Sequence, residues 1–321
     1  MACYLTTKIV TKTIQSDLVR LAVRTERIML IAVRRWFYQA HKQIRRDLTE
    51  KFIKSVTSEL TDWSFVEEQG QSIIKPAALK VIQSGGNKAY SLFHAKGAFD
   101  ILNIDAVKAA DKFTAELVRE VMQGTKAGIR TYISAGIKEG KGMPKIAREL
   151  RPLVGLTENQ TQSIVNYRKL LEDKGKFPRL TETDINRKTQ RYADKTHRRR
   201  ASTIARTETA RAQNIGYVQG LENVGVVETE FSASPGACEA CQSYNGNRYP
   251  VAEAKGIIPV HPHGRCAMLP VIAGEAKASS GKVAEALPEY TDKLLADLKA
   301  STSPAEKKEI KRILHRLGHR L

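Results

Sequence analysis

Residues 238–266 read CEACQSYNGNRYPVAEAKGIIPVHPHGRC, a stretch that gathers three of the chain's four cysteines and two of its seven histidines. The order is Cys238-x2-Cys241-x19-His261-x4-Cys266, with His263 as a spare imidazole. Two thiolates separated by two residues grip one tetrahedral ion from a single tight turn, and a second pair on a distant loop completes the shell. Soft sulfur with one imidazole selects zinc over magnesium or calcium, and four protein ligands leave no open position for a reacting water. The spacing predicts a structural Zn2+ site of Cys3His type at Cys238, Cys241, His261 and Cys266.

Other chemistries fit the same residues less fully. His261 and His263 stand two positions apart in an extended loop and point to opposite sides, so one of them binds; His261 is preferred and His263 is the alternative. A redox CxxC needs neither His261 nor Cys266. A zinc deaminase needs an upstream H-x-E, and neither His94-Ala95-Lys96 nor His197-Arg198-Arg199 supplies the glutamate. An HNH-type nuclease would set an aspartate beside the histidine pair, and VHPHG has none. A catalytic zinc with three protein ligands and a water is the reading if His261 or Cys266 stays unligated.

The sequence around this stretch changes period. VVETEFSAS (226–234) alternates as a strand does, and Asn245-Gly246 between the tyrosines of QSYNGNRYPV signals a hairpin turn. CAMLPVI (266–272) reads as a closing strand. A small β unit over 226–272 follows, its hairpin bringing the two halves of the ligand set together.

Everything before it reads as helix. Thr13 to Leu60 has no Gly or Pro, and Leu18, Leu21, Ile28, Ile31, Val33, Phe37, Ile44, Leu48, Phe52 and Val56 recur at mostly helical spacing, with arginines between them. Trp36-Phe37-Tyr38 is read as core. The paired glycines of QSGGNKAYS (83–91) predict a break, followed by helices near Ile104–Gly124 and Gly128–Ile137. KEGKGMP (138–144) reads as a hinge, with Pro144 opening the next helix, and Thr157 with Gln160 forms a capping box. NRKTQRYADKTHRRRASTIARTETAR (186–211) is a basic helix suited to tracking phosphates or to pairing with acidic neighbours. PAEKKEIKRILHRLGHRL (304–321) is a basic amphipathic helix. The fold class expected is α+β, predominantly helical, with a small zinc-stabilised β-hairpin unit near the C-terminus. Its parts are a helical region 1–140, a domain 141–272 and a basic tail 273–321.

A formal net charge of +19 calls for an anionic counterpart, whether nucleic acid, membrane or an acidic protein surface, unless the charge is simply solvated. The longest apolar run, IMLIAV (28–33), lies between Arg27 and Arg34 and is far short of the roughly 20 residues that span a bilayer. No secretory signal is legible at the start, so a cytosolic, reducing site of synthesis is expected. There, clustered cysteines favour metal over disulfide.

In combination, IARTETARAQNIG (204–216), a strand, CEACQSYNGNRYPV (238–251) and PVHPHGRC (259–266) resemble the phage head morphogenesis proteins, the Mu F-like minor capsid proteins, over roughly 125 to 272. The closing motif of that family usually looks like H-P-x-C-R-C; here Gly264 stands where a cysteine often sits, which makes Cys266 the fourth ligand. Phe231 stands where a tryptophan often precedes the first CxxC. The resemblance implies a minor component of a tailed-phage or prophage head, present in few copies and without catalytic turnover. It also implies association with the portal protein and other head proteins, and a role in head morphogenesis with DNA packaging or ejection. The implied location is the virion head interior, with the host cytoplasm during assembly, where packaged phage DNA, contacted non-specifically, would neutralise the positive charge. Residues 1–140 are then the docking region, and the basic segment and tail the DNA contacts. The alternative is a zinc-containing DNA-binding or DNA-processing protein. Glu208 in the Arg206-Thr207-Glu208 run is read as an ion-pair partner of Arg211 or Arg265, since no nucleophile or second carboxylate is placed beside it.

Overall fold

The computed structural model describes residues 2–52, 62–100, 104–140, 142, 149 and 153–271. It is predominantly helical with a small three-stranded antiparallel sheet. Expectations about residues 53–60, Pro144 and the tail 273–321 fall outside the described residues.

Helix α1 (Ala2–Phe52) is one long helix. Its buried residues Ile14, Leu18, Ala22, Thr25, Met29, Ala32, Trp36, Ala40 and Ile44 come at steps of three and four, the interval at which one face of a helix comes round. Trp36 and Phe37 are core, but Tyr38 is exposed. Ile31, expected on the inner face, is exposed as well, because Met29, Ala32 and Val33 already occupy that face and Ile31 is turned away from it.

Helix α2 (Trp63–Leu92) begins at Asp62, whose carboxylate accepts the amide of Phe65 at 3.2 Å. It runs unbroken through Gly85 and Gly86, where the sequence predicts a break. The glycines serve close approach: a Cβ on Gly85 would strike the carbonyl oxygen of Gln213, and one on Gly86 would strike the ring of Phe99. Likewise α3 (Ile104–Lys138) is a single helix where the sequence predicts two. Its Gly124 and Gly128 face Thr157 and Thr161 rather than ending anything.

Helix α4 (Glu158–Glu172) packs against α3 and starts with the expected capping box. The Thr157 hydroxyl accepts from the Gln160 amide at 3.3 Å, and the Gln160 side chain accepts from the Thr157 amide at 3.1 Å. Together these satisfy two of the amides that a helix start leaves unpaired. Helix α5 (Glu182–Asn223) carries the basic segment, with Arg187, Lys188, Arg191, Lys195, Arg198 and Arg199 exposed.

The chain forms two compact units, each assembled from separate segments. One consists of residues 25–81 and 101–212, and so holds α3 and α4 together with parts of α1, α2 and α5. Within it Arg168, 6% exposed, ties α4 to α5 by donating to Asn186 at 2.6 Å. The other unit consists of residues 1–24, 82–100 and the segment from Gln213 onward, and it holds the sheet. Here the ends of α2 and α5 meet backbone to backbone, with Gly216 on the carbonyl of Ile82 and Gly220 on Ala89.

The sheet runs β2 (Arg248–Pro250), β1 (Glu228–Ser232), β3 (Ala267–Pro270), antiparallel throughout. Thr229 lies opposite Tyr249 and Phe231 opposite Met268. Thr229 and Phe231 are buried, while Glu228 and Glu230 alternate outward to Arg248 at 3.6 and 3.4 Å. Asn245-Gly246 does turn the chain, with Gly246 at φ +83°, but it is not a two-strand hairpin loop. The residues before it form a short helical turn, α6 (Glu239–Gln242), and only the residues after it enter a strand. A second short turn, α7 (Val251–Ala254), follows β2.

Candidate metal centre

The two cysteines of the CxxC lie on one helical turn. Cys238 is the residue at the head of α6, and its carbonyl accepts the amides of Cys241 and Gln242 at 3.0 and 2.9 Å. At i and i+3 the two sulfurs fall on one side of the turn. His261 arrives from the loop between α7 and β3. The ligand atoms of Cys238, Cys241 and His261 all lie within 4.8 Å of one another, and His261 Nε2 stands 3.2 Å from the Cys238 sulfur.

The protonation of His261 suits a ligand. Its Nδ1 lies 2.7 Å from the Pro262 carbonyl oxygen, which can only accept. Nδ1 therefore carries the proton, and Nε2 offers its lone pair toward the sulfurs, the tautomer that a metal-bound histidine adopts.

Cys266, half-buried, enters from the other side, immediately before β3. Its thiol neighbours that of Cys241, although it is not within the three-residue group. Burial pushes the Cys241 thiol up to about 12, and the neighbouring Cys266 and Cys238 thiols push it the same way. The Cys241 thiol therefore resists ionisation on its own, whereas a divalent cation beside it would reverse the balance. Cys238, Cys241 and His261 are thus close enough to hold a metal ion, and two sulfurs with one imidazole are soft donors of the kind that zinc accepts.

His263 is not one of the three residues of the cluster. The His261 carbonyl accepts the Gly264 amide at 3.2 Å, and His263 sits in that turn at φ +67°. This is the position after a proline that favours glycine or asparagine.

Three side chains that sequence reasoning passed over position the ligand loops. Gln15 of α1 donates to the carbonyls of Ser232 and Ala233 at 3.3 and 2.9 Å, on the stretch leading to Cys238. Asn214 of α5 donates to the Ala254 carbonyl at 3.2 Å, at the head of the loop that delivers His261. Tyr244 packs on Phe231, ring centres 5.5 Å apart, while the Phe231 backbone bonds Gly246 and Asn247 at 2.8 and 2.9 Å. The only signal for Asn214 is its place in the Gln213-Asn214 pair on an otherwise packed helix face.

Glu208 belongs to the other unit. It is 4% exposed and pairs with Arg211 at 3.0 Å, one of the two partners expected, while Arg206 pairs with Glu26 at 3.5 Å. Burial pushes the Glu208 carboxyl up to about 7; Arg211 and Arg200 pull it down, and Glu120 and Glu116 push it further up.

Comparison with known protein families matches residues 127–269 to the model described as phage Mu protein F like protein. The match to the phage Mu F-like family supports the resemblance and covers under half of the chain. No curated protein and no solved structure matches the chain. The Mu F-like segment takes in the last turns of α3, all of α4 and α5, and the sheet up to Leu269 with its cysteine and histidine cluster. Its bounds agree with the resemblance legible in the motifs. The family points to phage head morphogenesis and is a structural one. No described helix is long and apolar enough to cross a membrane.

Proposed function

We propose that this chain is a minor head protein of a tailed phage or prophage, bound at the portal vertex in the head interior, where it acts in head morphogenesis and in packaging or ejection of DNA without catalytic turnover. The observation that carries this reading is the Mu F-like match over 127–269. It is supported by the convergence of Cys238, Cys241 and His261 from separate loops of that segment. In this reading the Mu F-like domain, 141–272, holds a structural zinc ion through Cys238, Cys241, His261 and Cys266. Residues 1–140 dock on the portal and other head proteins. The basic face of α5 and the tail 273–321 lie along packaged DNA. The net charge of +19 suits an enclosure lined with phosphate, where counterion release favours contact.

The test is to purify particles from an induced culture on a density gradient and to quantify the chain in DNA-filled heads by mass spectrometry. A low, fixed ratio to the portal protein is the expected result. Absence from full and empty heads alike would overturn the reading and promote a zinc-containing DNA-binding protein in its place. Divalent-metal-dependent DNA cleavage by the pure protein would overturn the non-enzymatic part.

A further inference from the structure

Between Thr25 and Asp47, the stretch of α1 that belongs to the unit of residues 25–81 and 101–212, the helix carries two faces of opposite character. The inner face holds Met29, Val33, Trp36, Phe37, Ala40 and Ile44, each less than a tenth exposed. On the outer face Arg27, Ile31, Arg34, Tyr38 and Lys42 follow at steps of four, three, four and four, with Arg35 beside them. Those steps keep all five on one stripe of the helix surface. Ile31 is 58% exposed and Tyr38 is 56% exposed, so two large apolar groups alternate with cations along the stripe.

Among the described residues the charge there is uncompensated. Arg27, Arg34, Arg35 and Lys42 have no ion-pair partner among the described residues. The two carboxylates on this part of the helix are occupied elsewhere: Glu26 is with Arg206 at 3.5 Å, and buried Asp47 accepts from Gln43 at 2.7 Å. A row of like charges interrupted by exposed apolar groups is unfavourable in isolation and complementary to a surface of the opposite pattern.

Three occupants can be weighed against that pattern. Duplex DNA would satisfy the cations and leave Ile31 and Tyr38 facing phosphate and water. A second copy docking through the same stripe would set cation against cation. A helix with an apolar seam flanked by carboxylates satisfies both at once, since the seam covers Ile31 and Tyr38 while the carboxylates meet the arginines. We propose that this outer stripe of α1 is the docking face for an acidic amphipathic helix of a neighbouring head protein. The identity of the neighbour as a head protein rests on the function proposed above; the chemistry of the face does not.

The test has two arms. In the first, the full chain is titrated at about 0.15 M salt with a fluorescent synthetic helix bearing a leucine seam and glutamate flanks, and with its counterpart bearing serine in the seam. The leucine helix is expected to bind at least about tenfold tighter than the serine one. Ile31→Asp/Tyr38→Asp should abolish that difference, and Arg27→Glu/Arg34→Glu should remove binding of both. Unaltered helical melting checks the fold, and Ile31→Ser/Tyr38→Ser serves if the aspartates disturb it. Equal binding of the two helices to the unmodified chain would overturn the proposal. So would displacement of the peptide by duplex DNA with equal potency from the unmodified chain and the Ile31→Asp/Tyr38→Asp variant, since that marks a nucleic-acid surface.

In the second arm, particles are made with the Ile31→Asp/Tyr38→Asp chain. Incorporation about tenfold below normal supports docking through this face, and normal incorporation overturns it. If the unmodified chain is itself missing from heads, the head-protein reading fails, and the peptide titration still decides the surface.

Discussion

His261 Nε2 stands 3.2 Å from the Cys238 sulfur, although the two residues are separated by 23 positions and by the whole of β2. With Nδ1 committed to the Pro262 carbonyl, the nitrogen aimed at the sulfur is the bare one. A thiol and an imidazole lone pair brought together by two separate segments, with Cys241 beside them, put three donor atoms close enough to share one metal ion, where a tetrahedral shell takes four.

Cys238→Ser, Cys241→Ser, His261→Ala and Cys266→Ser should each release zinc from the purified chain and melt the sheet unit, because the binding energy of a structural site, on the order of 10 kcal/mol, is folding energy. Elemental analysis with a thermal melt reads both quantities, and a strong chelator should reproduce the melt on the unmodified protein. Full zinc retention with unchanged melting in the Cys238 and Cys266 variants would show that the ligands lie elsewhere.

His263→Gly should keep the metal and leave stability unchanged or raise it by up to about 1 kcal/mol, since glycine accepts a positive φ that costs histidine strain. The imidazole assignment is reversed if this variant loses zinc while His261→Ala retains it.

Glu208 carries a pH dependence of definite sign. Its folded carboxyl titrates at about 7, above its ordinary value of 4.5, chiefly through burial. Stability held by the protonated form is complete below pH 4.5 and is lost as pH rises through about 7. The full swing is about 3 kcal/mol. Glu208→Gln should flatten that decline in urea melts at pH 5 and pH 8 and gain most at the higher pH. A profile as steep as that of the unmodified chain would place the ionisation on another residue.

Gly216→Ala and Gly124→Ala should move in opposite directions. A Cβ at Gly216 meets the Ile82 carbonyl, where backbone has to shift, so a loss of about 3 kcal/mol is expected. At Gly124 the nearest atom is Thr157 Cα at 3.5 Å, an ordinary contact, so alanine should add about 0.5 to 1 kcal/mol through helix propensity. Urea midpoints for the two variants give the signs directly.

What could be read in advance follows from what each signal measures. The capping box at Thr157 and the alternation of β1 are local patterns, set by residues within a few positions of each other, and they appear in the structure as written. The spacing of the CxxC and the histidine loop suggested that the two would meet, and Cys238, Cys241 and His261 do lie together. Gly85-Gly86 and Gly124 misled for one reason: a glycine that ends a helix and a glycine that admits a neighbouring backbone look identical until the neighbour, Gln213 or Thr157, is in place. Asn245-Gly246 misled in a related way, since turn chemistry says that the chain bends and not what precedes the bend. Ile31 was miscounted because apolar identity says nothing about which face of a helix it falls on when both faces carry apolar residues. Gln15 could not be foreseen at all, because its partners lie more than two hundred positions away.

That last distance has a consequence for synthesis. The 217 positions between Gln15 and Ser232 mean that α1 leaves the ribosome long before the strand it clamps exists. The unit of residues 1–24, 82–100 and 213 onward draws on early, middle and late segments at once. Non-local contacts of this kind form late and slowly. A chain cut short before β1 would keep the Lys88–Asp17 pair and the Gln213 bond to Leu18, but it would leave the Gln15 amide without the carbonyls of Ser232 and Ala233, so the last ties of this unit wait for the end of synthesis.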